Sequence, residues 1–376
     1  MFLEDLFQKL RESGVPLDLA GDGRSDSPGH SAKYGGYTII EQKLNKILDI
    51  QLVQSNEVGS SNACELEGLK RCVRQLAVQG LNLSSIVTDR HKQINAYIRD
   101  DLTQNMRIAA NMKHYFDIWH VSKGLKKKLD ALCRSKGFED VALWKKAIIN
   151  HMYFCAASVP EGEAELLLTK WKSVVNHIHN VHDHDNPLYP TCDHGPLVNE
   201  EDRDKEWLVP GTPQSVRLEE ILEAPNLCRD IKRLSPRYQT SSLEAFHSLI
   251  IHFAPKHTHF SWLGQLTRYY LAALHYNENS ERMQAVTENG QPRWSIRFPK
   301  YKKGGYTVRK EKTQPTYNYT DTILQRLQQE FSHSPAQLRD SIQEVHQNQP
   351  DTLSSDMDVP DKRQAVQQHV HRFADH

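Results

Sequence analysis

The sequence predicts an α/β protein built on a mixed β-sheet. Three segments that alternate with period two, 17–22, 36–42 and 46–54, follow one another closely and predict adjacent strands joined by short turns. Two more strand-like segments, 84–88 and 110–116, are each preceded by a helical pattern. The predicted order is therefore β-β-β-α-β-α-β, in which some neighbouring strands are antiparallel and others are joined by helical crossovers.

The helical segments of the sequence define the rest of the organisation. Asn62 followed by Glu65 is a helix start signal, an apolar stripe follows, and Gly80 ends that helix. Residues 122–238 are mostly helical in pattern, with an interrupting polar loop at 185–215. The predicted organisation is an amphipathic helix at 1–14, a first part of the sheet domain at 15–121, a helical insertion at 122–238, a last part of the sheet domain with a basic hairpin at 239–331, and a disordered polar tail at 332–376.

Composition excludes several classes of protein. The 376 residues are 38% hydrophobic, and 47 basic side chains balance 47 acidic ones, so the overall charge does not indicate a nucleic-acid partner. Six cysteines without a C-x-x-C pair argue against a disulfide scaffold and suit a reducing compartment. There is no apolar run of about 18 residues, so we expect no membrane span, and the charged amphipathic start is not expected to be a secretory signal.

Three acidic residues stand where catalysis would need them. Asp22 closes the first predicted strand, Asp89 closes the fourth, and Glu244 lies on an amphipathic helix after the insertion. The strand order is that of a ribonuclease-H-like sheet, in which the first and fourth strands are neighbours, so Asp22 and Asp89 would meet. Carboxylates held this close need a cation, for which Mg²⁺ is suited. The alternative is that each acid is an ordinary surface residue.

Four ordered blocks between residues 15 and 310 resemble those of Kolobok-type DDE transposases. They are GDGRSDSPGHSAKY at 21–34, VTDRH at 87–91, DIWH at 117–120 with Lys123 after it, and SSLEAFHS at 241–248 with APK at 254–256. The resemblance implies a ribonuclease-H-like fold with a large helical insertion between the second and third catalytic acids. The spacing of the acids fits such an insertion.

The resemblance also implies a function. Asp22, Asp89 and Glu244 would bind two Mg²⁺ or Mn²⁺ ions, cut a DNA strand and transfer its freed 3′-hydroxyl to target DNA. Asp117 and His120 match accessory positions, and their spacing on a helix predicts mutual contact. Double-stranded DNA, a homo-oligomer and the nucleus are the implied partner, assembly and location. Since residues 1–14 cannot form a zinc-coordinating THAP domain, we expect a catalytic core; the alternative is a domesticated, non-cutting DNA-binding or scaffold protein.

A second constellation, rich in histidine, lies within the insertion. Imidazoles and a thiolate at close spacing are typical zinc ligands, and zinc here would hold a long polar loop to a helix. The candidate ligands are His177, His182, His184, Cys192 and His194. The alternatives are a polar loop that binds no metal, or a zinc-stapled module for protein interaction.

Basic side chains cluster locally in spite of the neutral total. One cluster lies at 122–136 and another, with interleaved tyrosines, at 299–312. Such clusters are typical of phosphate contacts, although exposed helix and hairpin faces also carry them. The candidate DNA-binding residues are Lys123, Lys126, Lys127, Lys256, Lys300, Lys302, Lys303, Arg309 and Lys310.

Overall fold

A five-stranded mixed sheet is the centre of the computed structural model, which describes residues 2–27, 32–195, 206–237, 240–355 and 358–369. Its strands are β1 (Leu17–Ser25), β2 (Tyr34–Glu41), β3 (Lys46–Gln54), β4 (Leu83–Thr88) and β5 (Lys113–Phe116). The spatial order is β3-β2-β1-β4-β5, with β1, β2 and β3 antiparallel in sequence and β4 parallel to both β1 and β5. The predicted mixed sheet and the contact between its first and fourth strands are confirmed.

The helices cover both faces of this sheet and continue beyond it. In chain order they are α1 (Phe2–Ser13), α2 (Ser55–Val58), α3 (Ser61–Val78), α4 (Lys92–Tyr97), α5 (Thr103–Asn105), α6 (Ile118–Leu132), α7 (Glu139–Ser158), α8 (Ala164–Ile178), α9 (Pro213–Leu222), α10 (Pro225–Ile231), α11 (Ser241–Phe253), α12 (Trp262–Asn279), α13 (Asn318–His333), α14 (Pro335–Gln347) and α15 (Lys362–Gln367). The helix predicted between Asn62 and Gly80 agrees closely with α3.

Strand alternation divides the sheet between two cores. Leu19 and Ile86 point to the face covered by α1, α3 and α4, where Leu69 belongs to the same cluster. Ala20 and Val87, one residue on, point to the opposite face with α11 and α12. A glycine permits the close approach of α3, since a Cβ on Gly68 would lie 2.4 Å from the Cβ of Tyr37. The result is three layers, helix–sheet–helix.

The helical insertion leaves and rejoins the sheet at one place. It begins at Ile118, four residues before the predicted boundary, because the Asp117 side chain caps α6 by accepting a hydrogen bond from His120 N. It returns beside β5, where Phe116 N donates to Arg233 O at 2.6 Å. Helices α6 to α10 share a core of their own that contains Trp144 and Trp171. The predicted end of the insertion, residue 238, lies outside the described residues.

The C-terminal region differs from its prediction. Composition predicts disorder from 332 onward, whereas the structure has α14 and α15 there, and no described residue of α13, α14 or α15 is buried. The tail is short of apolar residues but rich in helix-forming Gln, Glu and Arg, so low hydrophobicity does not prevent helix formation. Residues 370–376 lie outside the described part. The predicted hairpin is present as antiparallel β6 (Trp294–Arg297) and β7 (Thr307–Lys310).

Across the residues that the structure describes, no helix combines the length and apolar character needed to cross a membrane.

Candidate active site

The register of two parallel strands places Asp22 and Asp89 together. Ala20 of β1 is the register partner of Val87 of β4, and each aspartate lies two residues further along the chain. Asp89 directly follows β4 as predicted, whereas Asp22 does not end β1, because antiparallel pairing with β2 extends that strand to Ser25. Because side chains alternate between faces, both aspartates continue the face of Ala20 and Val87. Neighbouring strands lie about 4.8 Å apart, so the two backbones bring the carboxylates to the same edge of the sheet. The residues Pro28 to Ser31 of the first resemblance block lie outside the described part.

Asp22 is held in an environment that opposes its ionisation. Its side chain is 21% exposed, and Oδ1 accepts a hydrogen bond of 2.9 Å from Gly23 N. Burial first, and then the negative charges of Asp89 and Glu65, raise the pKa of Asp22 to about 7 against the opposing effect of His120. Like charges held together in a partly desolvated site favour the binding of a cation.

Glu65 of α3 is a third acid of this site, and sequence interpretation missed it. Burial raises the pKa of Glu65, and so does the charge of Asp89, while His91 lowers it. A Cβ on Gly23 would lie 2.5 Å from Glu65 Cγ, so the glycine leaves the space that this side chain occupies. The sequence suggested only that Glu65 follows a helix cap. The N-cap of α3 is instead Ser60, whose side chain accepts from Ala63 N. We call Asp22, Glu65 and Asp89 the acid cluster.

Asp117 joins two distant parts of the chain beside the acid cluster. It is 1% exposed, and its carboxylate accepts hydrogen bonds from His120 Nδ1 at 3.1 Å and from Thr240 N at 3.0 Å. Burial acts to raise the pKa of Asp117, but these hydrogen bonds outweigh burial and hold the pKa below its ordinary value. The predicted contact between Asp117 and His120 is confirmed. Since Thr240 is the N-cap of α11, the same carboxylate fixes where that helix begins.

His120 brings positive charge toward the acids. The hydrogen bond from Asp117 raises the pKa of His120, burial opposes the increase, and the carboxylates of Asp22 and Asp89 add to it. When His120 is protonated, its imidazolium offsets part of the negative charge of the cluster.

Helix α11 presents His247 rather than Glu244 to Asp22. His247 Nδ1 lies 3.5 Å from Asp22 Oδ2. Burial lowers the pKa of His247 to about 3, as do the charges of Arg24 and Lys256, so the ring is neutral and the contact is not an ion pair. Glu244 lies one turn earlier, about 4.5 Å along the helix axis, and is exposed.

Two of the three predicted catalytic acids are therefore brought together. The charge of Asp89 raises the pKa of Asp22, whereas Glu244 is exposed to solvent on the neighbouring helix. Among the described residues, these three carboxylates do not form a closed group of metal ligands. The helix that carries Glu244 packs against the sheet beside them through Leu243 and Phe246.

A cavity of about 590 Å³ opens beside the acid cluster and is lined by basic as well as acidic groups. Arg24, Glu65, His247 and Lys256 line it. Arg24 is 7% exposed; Nη1 donates to Tyr269 Oη at 3.2 Å, whereas Nη2 is buried without a hydrogen-bond partner. A buried guanidinium nitrogen in this state is a donor without an acceptor, and phosphate oxygens are acceptors it suits.

The other predicted DNA-binding residues lie at the surface. Lys123, Lys126 and Lys127 are exposed on α6, and Lys123 Nζ lies 4.5 Å from the centre of the Trp119 ring. Lys256 is exposed at the end of α11. The hairpin residues are also exposed, and they are Lys300, Lys302, Lys303, Arg309 and Lys310.

The histidine-rich constellation is partly as predicted. His177, His182, Cys192 and His194 each offer one ligand atom, and these atoms all lie within 4.8 Å of one another. His184, also predicted as a ligand, is not in this group; its Nε2 lies 3.3 Å from Cys192 Sγ and its Nδ1 lies 3.1 Å from Asn176 Nδ2. Its ring is directed at the sulfur and at a neighbouring helix, so its nitrogens are engaged elsewhere.

Comparison with known proteins adds one structural similarity. No protein-family model matches the chain, and no curated protein matches it. Among solved structures, the chain is similar to the Drosophila P element transposase strand transfer complex, with 12% identity and a TM-score of 0.36, over 74% of this chain and 81% of that one. A TM-score of this size carries no argument about function.

Proposed function

We propose that this chain is a transposase-like DNA-cleaving and strand-transfer core of the Kolobok type, with a ribonuclease-H-like fold. The observation that carries the proposal is the placement of Asp22 within β1 and Asp89 just after β4, on neighbouring parallel strands, where the charge of Asp89 raises the pKa of Asp22. The strand order β3-β2-β1-β4-β5 supports the fold assignment. The helical insertion between β5 and α11 supports it as well, because it separates the second acid from the third.

The acid cluster fits divalent cations. The pKa values of Asp22 and Glu65 are raised because burial and the charge of Asp89 oppose their ionisation, and a bound cation reverses both effects. Asp22 and Asp89 would hold two Mg²⁺ or Mn²⁺ ions, which supply Lewis-acid activation of the phosphodiester and its nucleophile. We propose Glu244 as the third metal-binding acid. Glu65 is the alternative for this role, because it is already close enough for the charge of Asp89 to raise its pKa.

The residues around the cluster would bind and orient the DNA backbone. Arg24 and Lys256 line the cavity near Asp22, where a phosphate group would meet two positive charges. His120 is held in place by Asp117, and the charges of Asp22 and Asp89 raise its pKa. It would orient the attacking oxygen or the DNA strand. Cleavage by water and strand transfer by a 3′-hydroxyl are both displacements at phosphorus, so one site would serve both.

Double-stranded DNA is the proposed substrate, with the chain acting as a homo-oligomer in the nucleus. The exposed lysines of α6 and the β6–β7 hairpin would bind phosphates along the duplex. Tyr301 and Tyr306, which are 75% and 58% exposed, would pack against sugars or bases beside those lysines.

Plasmid nicking in Mg²⁺ or Mn²⁺ tests the proposal. We expect nicking by the unmodified chain and at least a roughly 100-fold loss in Asp89→Ala, with unchanged circular dichroism. Asp130→Asn is the control, because Asp130 lies on the surface of α6, paired with Lys145 at 2.5 Å, and should keep full activity. Salt-sensitive DNA binding without cutting by the unmodified chain would instead indicate the domesticated, non-cutting protein.

A paired comparison identifies the third acid. Glu244→Gln and Glu65→Gln each remove one charge and keep the shape of the side chain. If Glu244 completes the site, Glu244→Gln abolishes nicking and Glu65→Gln reduces it only modestly. The reverse result would transfer the role to Glu65.

A further inference from the structure

We infer that the end of α8 and the loop after it form a structural zinc site, with His177, His182, Cys192 and His194 as its four ligands. The site is independent of the proposed DNA chemistry, since all four residues belong to the helical insertion. Among the described residues, this is the group of histidine, cysteine and carboxylate side chains whose ligand atoms converge. Three imidazoles and one thiolate form a nitrogen-and-sulfur set that zinc favours.

The distances within the group suit a tetrahedron. With Zn–S of about 2.3 Å and Zn–N of about 2.1 Å, a sulfur and a nitrogen ligand lie about 3.6 Å apart. Cys192 Sγ lies 3.7 Å from His177 Nδ1. All the ligand atoms lie within 4.8 Å, so small side-chain rotations of about 1 Å close the remaining gaps. The ring centres of His177, His182 and His194 are 4.8–5.2 Å apart, with interplanar angles of 75–85°, so the rings converge without stacking.

Neighbouring groups orient the ligands. His182 Nε2 lies 3.1 Å from Asn180 Oδ1, and His194 Nδ1 lies 2.8 Å from Gly195 O. Each oxygen can accept the hydrogen of that ring nitrogen, which orients the ring.

His184 is best placed as a donor to the thiolate. Its Nε2 lies 3.3 Å from Cys192 Sγ, and its ring stacks on Tyr189 at an interplanar angle of 19°. A hydrogen bond to a ligating sulfur tunes the metal without coordinating it. This arrangement explains why five candidate residues in the sequence supply four ligands.

Backbone pairing in the loop brings its ligands together. Cys192 N donates to His182 O at 2.9 Å, and His184 N donates to Pro190 O at 2.6 Å, so the segment folds back on itself. Leu208 N then donates to Ile178 O at 2.9 Å, which returns the chain to the end of α8. Zinc would fix α8 to this loop in a region that has little apolar core of its own.

Aromatic side chains surround the group. Trp207 lies 5.7 Å from His177 and 5.6 Å from His182, measured between ring centres, and it stacks on Trp144. These rings cover His177 and His182, whereas His194 is exposed. Four protein ligands are the number typical of a structural zinc site, because a catalytic site has three and an open position.

Metal analysis of the full chain, purified without chelator and dialysed against zinc-free buffer, tests the inference. We expect about one zinc per chain, and less than about a tenth of that in Cys192→Ala and in His177→Ala. Cys228→Ser is the control, because this partly buried thiol lies on α10 outside the group and should leave zinc unchanged. A second measurement is needed because a ligand variant can misfold. Cobalt added to the metal-free chain should give the intense visible absorption of tetrahedral cobalt with a thiolate ligand, and Cys192→Ala should remove it.

His184→Ala distinguishes a supporting residue from a ligand. We expect it to bind one zinc at saturation, with affinity reduced about 10- to 100-fold. Absence of zinc from the unmodified chain in the presence of added zinc would overturn the site. Full zinc binding by Cys192→Ala would overturn it as well, and loss of stoichiometric binding in His184→Ala with retention in His194→Ala would overturn the ligand assignment.

Discussion

Replacing Asp22 by asparagine should stabilise the metal-free protein while it abolishes cutting. The folded state raises the pKa of Asp22 from an ordinary 3.8 to about 7, chiefly by burial and then by the charge of Asp89. The folded chain therefore holds a proton that the unfolded chain has lost between these two pH values. Stability falls as pH rises through that window, and the whole penalty is present above pH 7.

The size of the effect follows from the two pKa values. The raised pKa of Asp22 lowers the stability of the folded state by on the order of 2 kcal/mol at pH 5, where the folded chain keeps the carboxyl protonated, and by on the order of 4 kcal/mol at pH 8, where it is ionised. Asparagine carries no charge, and its amide oxygen can still accept the hydrogen bond from Gly23 N. Asp22→Asn should therefore unfold at a higher temperature than the unmodified chain, with the larger difference at pH 8.

The assay is thermal unfolding in chelator at pH 5 and pH 8, repeated with Mg²⁺. A bound cation stabilises only a chain that has the site, so Mg²⁺ should raise the midpoint of the unmodified chain and not that of the variant. Asp18→Asn is a matched control on the same strand. Asp18 accepts from Ser85 Oγ at 2.7 Å and pairs with Lys43 at 2.9 Å, and these contacts outweigh burial and lower its pKa. Its replacement should lower the midpoint at pH 8.

Two results would refute this reasoning. One is a midpoint for Asp22→Asn equal to or below that of the unmodified chain in chelator at pH 8. The other is an equal response of both proteins to Mg²⁺, which would place the cation away from Asp22.

Three further predictions concern packing, protonation and DNA binding. Gly68→Ala should destabilise by about 1–3 kcal/mol in thermal unfolding, against the usual benefit of alanine in a helix, because its Cβ would meet Tyr37; a stabilised variant would contradict the close packing. Asp117→Asn should lower the pKa of His120, measured from its ring signals in an NMR titration, because the raised pKa comes mainly from Asp117. The pair stabilises the fold below pH 6.5, and this stabilisation is lost as pH rises through the raised pKa. An unchanged pKa would contradict the prediction. Alanine at three turn lysines should reduce the slope of log affinity for DNA against log salt by about 0.9 for each phosphate that the variant no longer neutralises, and an unchanged slope would remove the hairpin from the interface. The lysines are Lys300, Lys302 and Lys303.

Local patterns were sufficient to predict the sheet and the meeting of its two aspartates. Period-two alternation identified the first three strands, a short apolar β-branched segment identified β4, and the strand order of a ribonuclease-H-like sheet implied that β1 and β4 are neighbours. A residue within a strand or directly after it has a position fixed by that strand, which is why the approach of Asp22 to Asp89 could be predicted from sequence even though β1 continues to Ser25.

Glu65 and His247 could not be predicted in the same way. Each lies on a helix, and which helical residue faces the sheet edge depends on how that helix packs and on which residue caps it. Ser60 rather than Asn62 caps α3, and the capping group of α11 is held by Asp117, more than a hundred residues earlier. The four converging residues of the proposed zinc site were among the five candidates predicted from spacing, but the position of His184 outside the group required the fold of the loop.

The hydrogen bond from Thr240 N to Asp117 has a consequence for the order of folding. It spans 123 residues, and closing a flexible loop of that length costs about 4 kcal/mol in chain entropy. The insertion has its own core and its ends meet at Phe116 and Leu234, so its prior collapse shortens the effective loop to a few residues. We therefore expect amide protons of α7 and α8 to become protected from exchange during refolding before those of α11. Helix α11, which carries Glu244, should pack against the sheet last.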